Sequence, residues 1–220
     1  MKQPCSPVSK KGMSYPMDLT FQGLEKDYLR ITDLEIVEME GEDIDGILDI
    51  ENLCFRSPWT RDAFKQELDI DCSKVFVAKK STPHKKKIVG YICLWMVTNE
   101  VHILNLATHP NFHRHGIATS LLSFGLEFSI LLGAEIATLE VRKSNLPAIS
   151  LYNKFAFEAM GVRRRYYSDN YEDAIIMCSK LSYIVNRKWV LSYSRFTTYE
   201  TGWVKKTCTR KRKREFFSVN

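Results

Sequence analysis

Apolar and polar positions follow two periods along this chain, and the switches between them mark its elements. Leu34, Ile36 and Val37 predict a short first strand. Ile44, Ile47, Leu48 and Leu53 then fall near helical spacing behind acidic residues, which the positive end of a helix dipole favours. Ser57-Pro58-Trp59-Thr60 breaks that helix, and Thr60 is placed to cap a second one through Phe64 and Leu68. Residues 75–78 and 88–97 are rich in β-formers, and the polar, lysine-bearing stretch 81–87 between them predicts a hairpin. Residues 101–107 add a strand that leads through His109-Pro110 to a helix opening at Gly116, with Leu121, Leu122, Phe124 and Phe128 on its apolar stripe. Residues 136–141 predict a strand, 148–155 a short helix, and 157–167 with 173–181 a closing antiparallel pair. Strands and helices in this order imply a mixed sheet with helices packed on it, an α/β (α+β) three-layer domain over residues 34–181. Residues 1–33 hold no sustained period and read as an extension with little regular structure, and 182–220 read as a second extension.

Composition narrows the class. At 220 residues and 45% hydrophobic content the chain builds one well-buried core and is short for two enzyme domains. Its first residues carry lysines and prolines without an apolar run, and no stretch of about 18 uncharged apolar residues occurs, so neither a signal peptide nor a membrane span is expected. The six cysteines form no CxxC pair and have no histidine at zinc-site spacing, which reads as reduced thiols in a cytoplasmic protein and no metal site. The net charge of +6 is unevenly placed: residues 181–220 carry ten Lys or Arg against Glu200 and Glu215. The basicity therefore belongs to the tail, where Lys205, Lys206 and Arg210 to Arg214 follow several aromatic residues. A solvated tail accounts for it, as does a weak contact of 205–214 with RNA or the ribosome.

The loop His113-Arg114-His115-Gly116-Ile117-Ala118 joins a strand to a helix, so it presents backbone N–H groups at a helix N-terminus, where they suit a pyrophosphate. A Gly-x-Ala turn also opens many helices for steric reasons alone. Three more segments complete a pattern: Asn105-Leu-Ala-Thr-His-Pro, Leu139-Glu-Val-Arg-Lys-Ser-Asn through Leu151-Tyr-Asn-Lys-Phe-Ala-Phe, and Arg164-Arg-Tyr-Tyr through Glu172-Asp-Ala. Together with Phe55-Arg-Ser-Pro-Trp-Thr, they make residues 34–180 resemble the GNAT superfamily, and within it the bacterial ribosomal-protein-alanine N-acetyltransferases.

The resemblance implies a GNAT fold with a splayed sheet and acetyl-CoA as co-substrate. It assigns Arg114, His115, Gly116, Ile117, Ala118 and Thr119 to the pyrophosphate, the main chain of Leu106, Ala107 and Thr108 to the pantetheine arm, and Asn145 to a further cofactor contact. It makes Glu140 the general base for the substrate ammonium and Tyr152 the general acid for the departing thiolate. Trp59, Tyr166 and Tyr167 would wall the peptide slot, although Trp59 serves equally as a core anchor between the first two helices. Two positions depart from the family: His113 stands where Gln or Arg is usual, and Ala156 where Gly is common. If the turn at Ala156 needs a positive φ, alanine strains it by roughly 1 kcal/mol. The implied reaction is acetylation of a protein N-terminus, an alanine of a ribosomal protein. A lysine side chain or small-molecule amine is the alternative acceptor, and a non-catalytic acetyl-CoA-binding or ribosome-docking module the alternative class.

Overall fold

The computed structural model describes residues 34–81 and 86–182. The N-terminal extension, the loop 82–85 and nearly all of the C-terminal extension, with its 205–214 segment, lie outside the described residues. Seven strands form one sheet in the order β1-β2-β3-β4-β5-β7-β6. They are β1 (Leu34–Glu38), β2 (Ser73–Ser81), β3 (Lys86–Val97), β4 (Glu100–Thr108), β5 (Ile136–Arg142), β6 (Glu158–Tyr167) and β7 (Glu172–Lys180). The helices are α1 (Ile44–Cys54), α2 (Arg61–Asp69), α3 (Ile117–Leu131) and α4 (Leu146–Lys154). Every pairing is antiparallel except β4 with β5, which the α3 crossover makes parallel. The mixed sheet expected from the pattern is present, with each element within a few residues of its expected place.

The sheet is covered on both faces. Ile44, Ile47 and Ile50 of α1 and Phe64 of α2 pack with Val75, Val77, Tyr91 and Cys93 on one side. On the other, Phe76 sits edge-on between Phe124 and Phe128 of α3, at 4.8 and 4.9 Å between ring centroids. The middle of α3 approaches closely because Gly125 lacks a side chain: a Cβ there would meet Leu94 Cδ1 at 2.9 Å. Thr60 caps α2 as its sequence position requires, accepting a hydrogen bond from the Ala63 N–H at 3.3 Å.

Helical spacing misplaced two residues. Leu53 and Leu68 are exposed, at 58% and 45%, while two glutamates, Glu51 and Glu67, occupy the buried face beside Ile50 and Phe64. Each glutamate is accepted there because donors surround it. Glu67 Oε2 takes the Ser73 hydroxyl at 2.5 Å and the Trp95 indole N–H at 2.7 Å.

Ala156, between α4 and β6, adopts φ +57, a conformation that costs an L-residue about 1–2 kcal/mol. Ala156→Gly should therefore raise unfolding stability by about 0.5–1 kcal/mol after the greater freedom of glycine in the unfolded chain is subtracted, read as a higher urea midpoint. An unchanged or lowered midpoint would show that the turn carries no strain.

Candidate active site

β4 and β5 are hydrogen-bonded neighbours only from Glu100↔Ile136 to Ile103↔Leu139. Beyond that point they diverge, while each keeps its outer partner: β4 stays paired to β3 as far as Thr108↔Gly90, and β5 to β7 as far as Arg142↔Ala174. The inner backbone edge of residues 104–108 thus faces a wedge rather than a strand. Backbone N–H and C=O groups need partners, so the open edge is suited to an extended ligand that pairs as a strand would.

A cavity of about 350 Å³ fills this wedge. Its walls include Leu104, Asn105 and Leu106 of β4, Glu140 and Arg142 of β5, Asn145 and Tyr152 at α4, and Tyr166 and Tyr167 of β6. Glu51, Cys54 and Trp59 close it from the α1–α2 side. On β5 burial alternates, with Leu139 and Val141 buried, so Glu140 and Arg142 share the opposite, half-buried face. Glu140 Oε1 lies 3.2 Å from Arg163 Nη2, an ion pair with 30% of the carboxylate side chain accessible. Tyr152 is 7% exposed and packs its ring 5.7 Å from Phe157. Burial pushes the phenol's pKa well up, so it stays protonated through neutral pH.

Arg142 organises the far wall. Its guanidinium bonds Asp169 through both carboxylate oxygens at 2.9 and 3.0 Å, reaches Glu172 at 3.4 Å, and lies 3.8 Å over the Tyr167 ring. Glu172 also accepts the Ser144 N–H at 2.7 Å. Those bonds from Ser144, helped by Asn170 and Arg142, hold its carboxyl down at about 2. Glu172 therefore both starts β7 and braces the β5–α4 turn.

Glu51 is a cavity-lining residue that the pattern did not bring forward. It is fully buried, with Oε1 accepting from the Tyr91 hydroxyl and from Asn105 Nδ2 at 3.0 Å, and Oε2 accepting the Trp59 backbone N–H at 2.7 Å. Desolvation outweighs these bonds and raises its pKa from an ordinary 4.5 to about 7. The signal was present in the chain: Glu51 is four residues after Ile47 and seven after Ile44, so it stands on the apolar stripe of α1. A carboxylate at such a position needs a reason.

At the outer end of β4 the chain turns through His109-Pro110 into the loop before α3. Gly116, the residue preceding α3, has φ +79, which glycine adopts freely. The first amide of α3 to find a backbone acceptor is that of Ser120, bonded to Gly116 O at 2.9 Å. No side chain caps the helix, so the amides of Ile117, Ala118 and Thr119 face outward in the field of the dipole. Beside them, the Thr108 hydroxyl is buried and has no hydrogen-bond partner among the described residues. An open strand edge, an orphaned hydroxyl and three uncapped amides in sequence fit a long ligand with an amide-bearing arm and a pyrophosphate, which describes acetyl-CoA.

Residues 44–157 match the model of the acetyltransferase (GNAT) family. The chain belongs to that family. A Bacillus subtilis (strain 168) protein assigned as a ribosomal protein bS18-alanine N-acetyltransferase is 36% identical over 146 residues, covering 66% of this chain and 95% of the relative. The Escherichia coli (strain K12) enzyme of that name is 29% identical over 149 residues, covering 67% of this chain and 97% of the relative. The crystal structure of the ribosomal-protein-S18-alanine N-acetyltransferase from Escherichia coli superposes with a TM-score of 0.61 at 28% identity, covering 67% of this chain and 94% of that one. The fold is the GNAT fold, and the chain is an N-acetyltransferase.

Within this GNAT domain, the candidate residues fall into two groups. Glu140, Tyr152, Trp59, Tyr166, Tyr167, Leu106 and Asn145 share the cavity. Ala107, Thr108 and the loop from Arg114 to Thr119 lie outside its walls, further along β4 and at the start of α3. Three placements modify the assigned roles. The Thr108 carbonyl is already engaged by His113 Nε2 at 2.9 Å and Cys54 Sγ at 3.4 Å, leaving its hydroxyl as the unmatched group. Asn145 Oδ1 caps α4 by accepting the Ala148 N–H at 3.2 Å, which leaves its amide nitrogen and one lone pair of that oxygen for a ligand. Ile117 is 3% exposed, so it offers its amide and not its side chain. The Trp59 ring packs 5.4 Å from Phe64, and the residue also lines the cavity.

Proposed function

We propose that residues 34–181 form a catalytic domain that transfers the acetyl group of acetyl-CoA to the N-terminal α-amine of a protein, with an N-terminal alanine of a ribosomal protein as acceptor. The observation that carries this reading is the presence of a carboxylate, Glu140, and a buried phenol, Tyr152, in one cavity at the point where β4 and β5 part. The bS18-alanine N-acetyltransferases, matched over almost their full lengths, support the choice of acceptor.

Acetyl-CoA supplies an activated thioester, and this chain's residues orient it and move protons. The inner edge of Leu106 to Thr108 holds the pantetheine arm as an added strand, with the Thr108 hydroxyl as a further partner, and the amides of Ile117 to Thr119 hold the pyrophosphate. Glu140, 3.2 Å from the Arg163 guanidinium, takes a proton from the substrate ammonium through water, because only the neutral amine is a nucleophile. As the new C–N bond forms and the C–S bond breaks, Tyr152 donates its proton to the leaving sulfur. The nitrogen's remaining excess proton leaves to solvent, and the phenol is restored from solvent. A peptide N-terminus enters between Trp59 and the Tyr166–Tyr167 pair, whose rings meet edge to face at 5.2 Å.

Incubation with acetyl-CoA and peptides beginning Ala-Arg or Ser-Arg, followed by fragment mass spectrometry, should place one acetyl group on the α-amine. Acetylation confined to lysine would reject the N-terminal acceptor and favour the side-chain alternative. Binding of acetyl-CoA with no turnover on any peptide would reject catalysis.

A further inference from the structure

Lys80 and Lys87 stand directly opposite one another on β2 and β3. Like charges in that position repel and destabilise a sheet. Other lysines of these strands are matched: Lys74 reaches Glu38 and Lys79 reaches Asp43, each at 2.7 Å, and Lys86 pairs with Glu35. Among the described residues Lys80 and Lys87 enter no salt bridge. Both ammonium groups instead lie near the ring of Phe112, at 5.5 and 5.9 Å from its centroid.

The face of the sheet on which they stand gives this repulsion a purpose. Phe76 meets α3, and the next matched pair along, Ala78↔Gly90, lies under Ile117 and Leu121 at the start of that helix. Lys79 and Ile88 turn the other way, toward Asp43 and Gly46. The Lys80↔Lys87 pair resumes the α3 face one step beyond Ile117, beside the uncapped amides. Phe112 links the two, since its ring is also 6.4 Å from that of His115. The positive field is felt nearby: burial and then the Lys87 charge hold the His109 imidazole below its ordinary pKa, with Asp49 opposing.

Two concentrations of positive potential, the helix terminus and the lysine pair, therefore lie side by side at the outer end of β4. Acetyl-CoA carries two anionic groups with matching separation of roles, a pyrophosphate diester and a 3′-phosphate monoester on the adenosine ribose. The monoester is close to dianionic at neutral pH, which suits two ammonium groups and not three amides. We infer that Lys80 and Lys87, set over Phe112, form the seat of the cofactor's 3′-phosphate. This rests on acetyl-CoA being the acyl donor. It explains why two lysines face each other without a carboxylate, and it makes the β2–β3 hairpin part of donor recognition.

Titration calorimetry of the full chain with CoA and with 3′-dephospho-CoA at fixed ionic strength tests the seat without needing an acceptor. The wild type is expected to bind CoA about tenfold more tightly than 3′-dephospho-CoA, the effect of one doubly contacted charged group. In the Lys80→Gln/Lys87→Gln double variant the two Kd values should converge, through weakened CoA binding alone. The Lys80→Arg/Lys87→Arg variant should restore the preference. The seat is overturned by a wild type that does not distinguish the ligands, by a preference that survives in the glutamine variant, or by equal weakening toward both ligands, which would place the lysines' effect on the pyrophosphate. Failure of the wild type to bind either ligand would instead overturn the acyl-donor reading, and the seat with it. Both lysines are at the surface and removing their repulsion costs the sheet nothing, so the glutamine variant should melt no lower than the wild type.

Discussion

Tyr152→Phe is expected to lower kcat for peptide acetylation by about 10²–10³-fold while changing the Kd for CoA less than about twofold, because one positioned acid is worth this much to a proton-coupled bond cleavage. The substitution keeps the ring that packs against Phe157 and removes only the hydroxyl. Burial raises that phenol's pKa, so at neutral pH the group carries the proton that the proposed role requires. Glu140→Gln should bring a comparable loss, since the amide keeps the shape of the side chain and cannot take a proton. Its defect should shrink as pH rises and more of the acceptor amine is neutral without help. That pH dependence separates a base from a group that merely positions Arg163. Turnover at the wild-type rate in both variants would remove the assigned roles, and a rise in KM with kcat unchanged would reassign them to substrate binding.

The second large effect is on stability. Glu51→Ala should destabilise the domain by about 3–5 kcal/mol in urea unfolding, because it strands the Tyr91 hydroxyl, the Asn105 amide and the Trp59 N–H in a buried position. Glu51→Gln keeps an acceptor and should cost less than half of that. Glu51 also sets a pH dependence whose sign is fixed by its raised pKa. In the folded chain the carboxyl holds its proton up to about 7, whereas unfolded it releases it near 4.5. Its favourable contribution is therefore full below about 4.5, falls as pH rises toward 7, and is flat above. Between pH 5 and 8 the wild type should lose about 2 kcal/mol that Glu51→Gln does not lose. Parallel pH profiles for the two proteins would show that the group does not titrate in this window.

Much of the architecture was legible along the chain. Strands of alternating or continuous apolar residues, the Thr60 cap and the glycine before α3 are local signals, and each element formed near its expected residues. The positive φ at Ala156 meets the condition raised by the glycine that the family commonly has at that place. Where spacing failed, on α1 and α2, it failed for a tertiary reason. Leu53 and Leu68 are exposed although apolar. The buried places went to Glu51 and Glu67, whose burial depends on donors contributed by distant strands, such as Tyr91, Asn105 and Trp95.

Glu140, Tyr152 and the loop from Arg114 to Thr119 could be put forward as candidates because the resemblance that assigns them rests on short continuous motifs. The parting of β4 and β5 after Ile103↔Leu139, which opens the cavity, was implied by the family resemblance and not by the local pattern, since strand pairing is decided between segments about 36 residues apart by what each side packs against. The Arg142 clamp on Asp169 and Glu172 and the opposed lysines over Phe112 were likewise not readable in the local pattern. Residue type and local period settle which elements form, and short motifs mark which groups are candidates for chemistry, because these depend on neighbours in the chain. Burial of a charge, the gap in a sheet and the meeting of two cations depend on neighbours in space, and so the folded structure alone decides them.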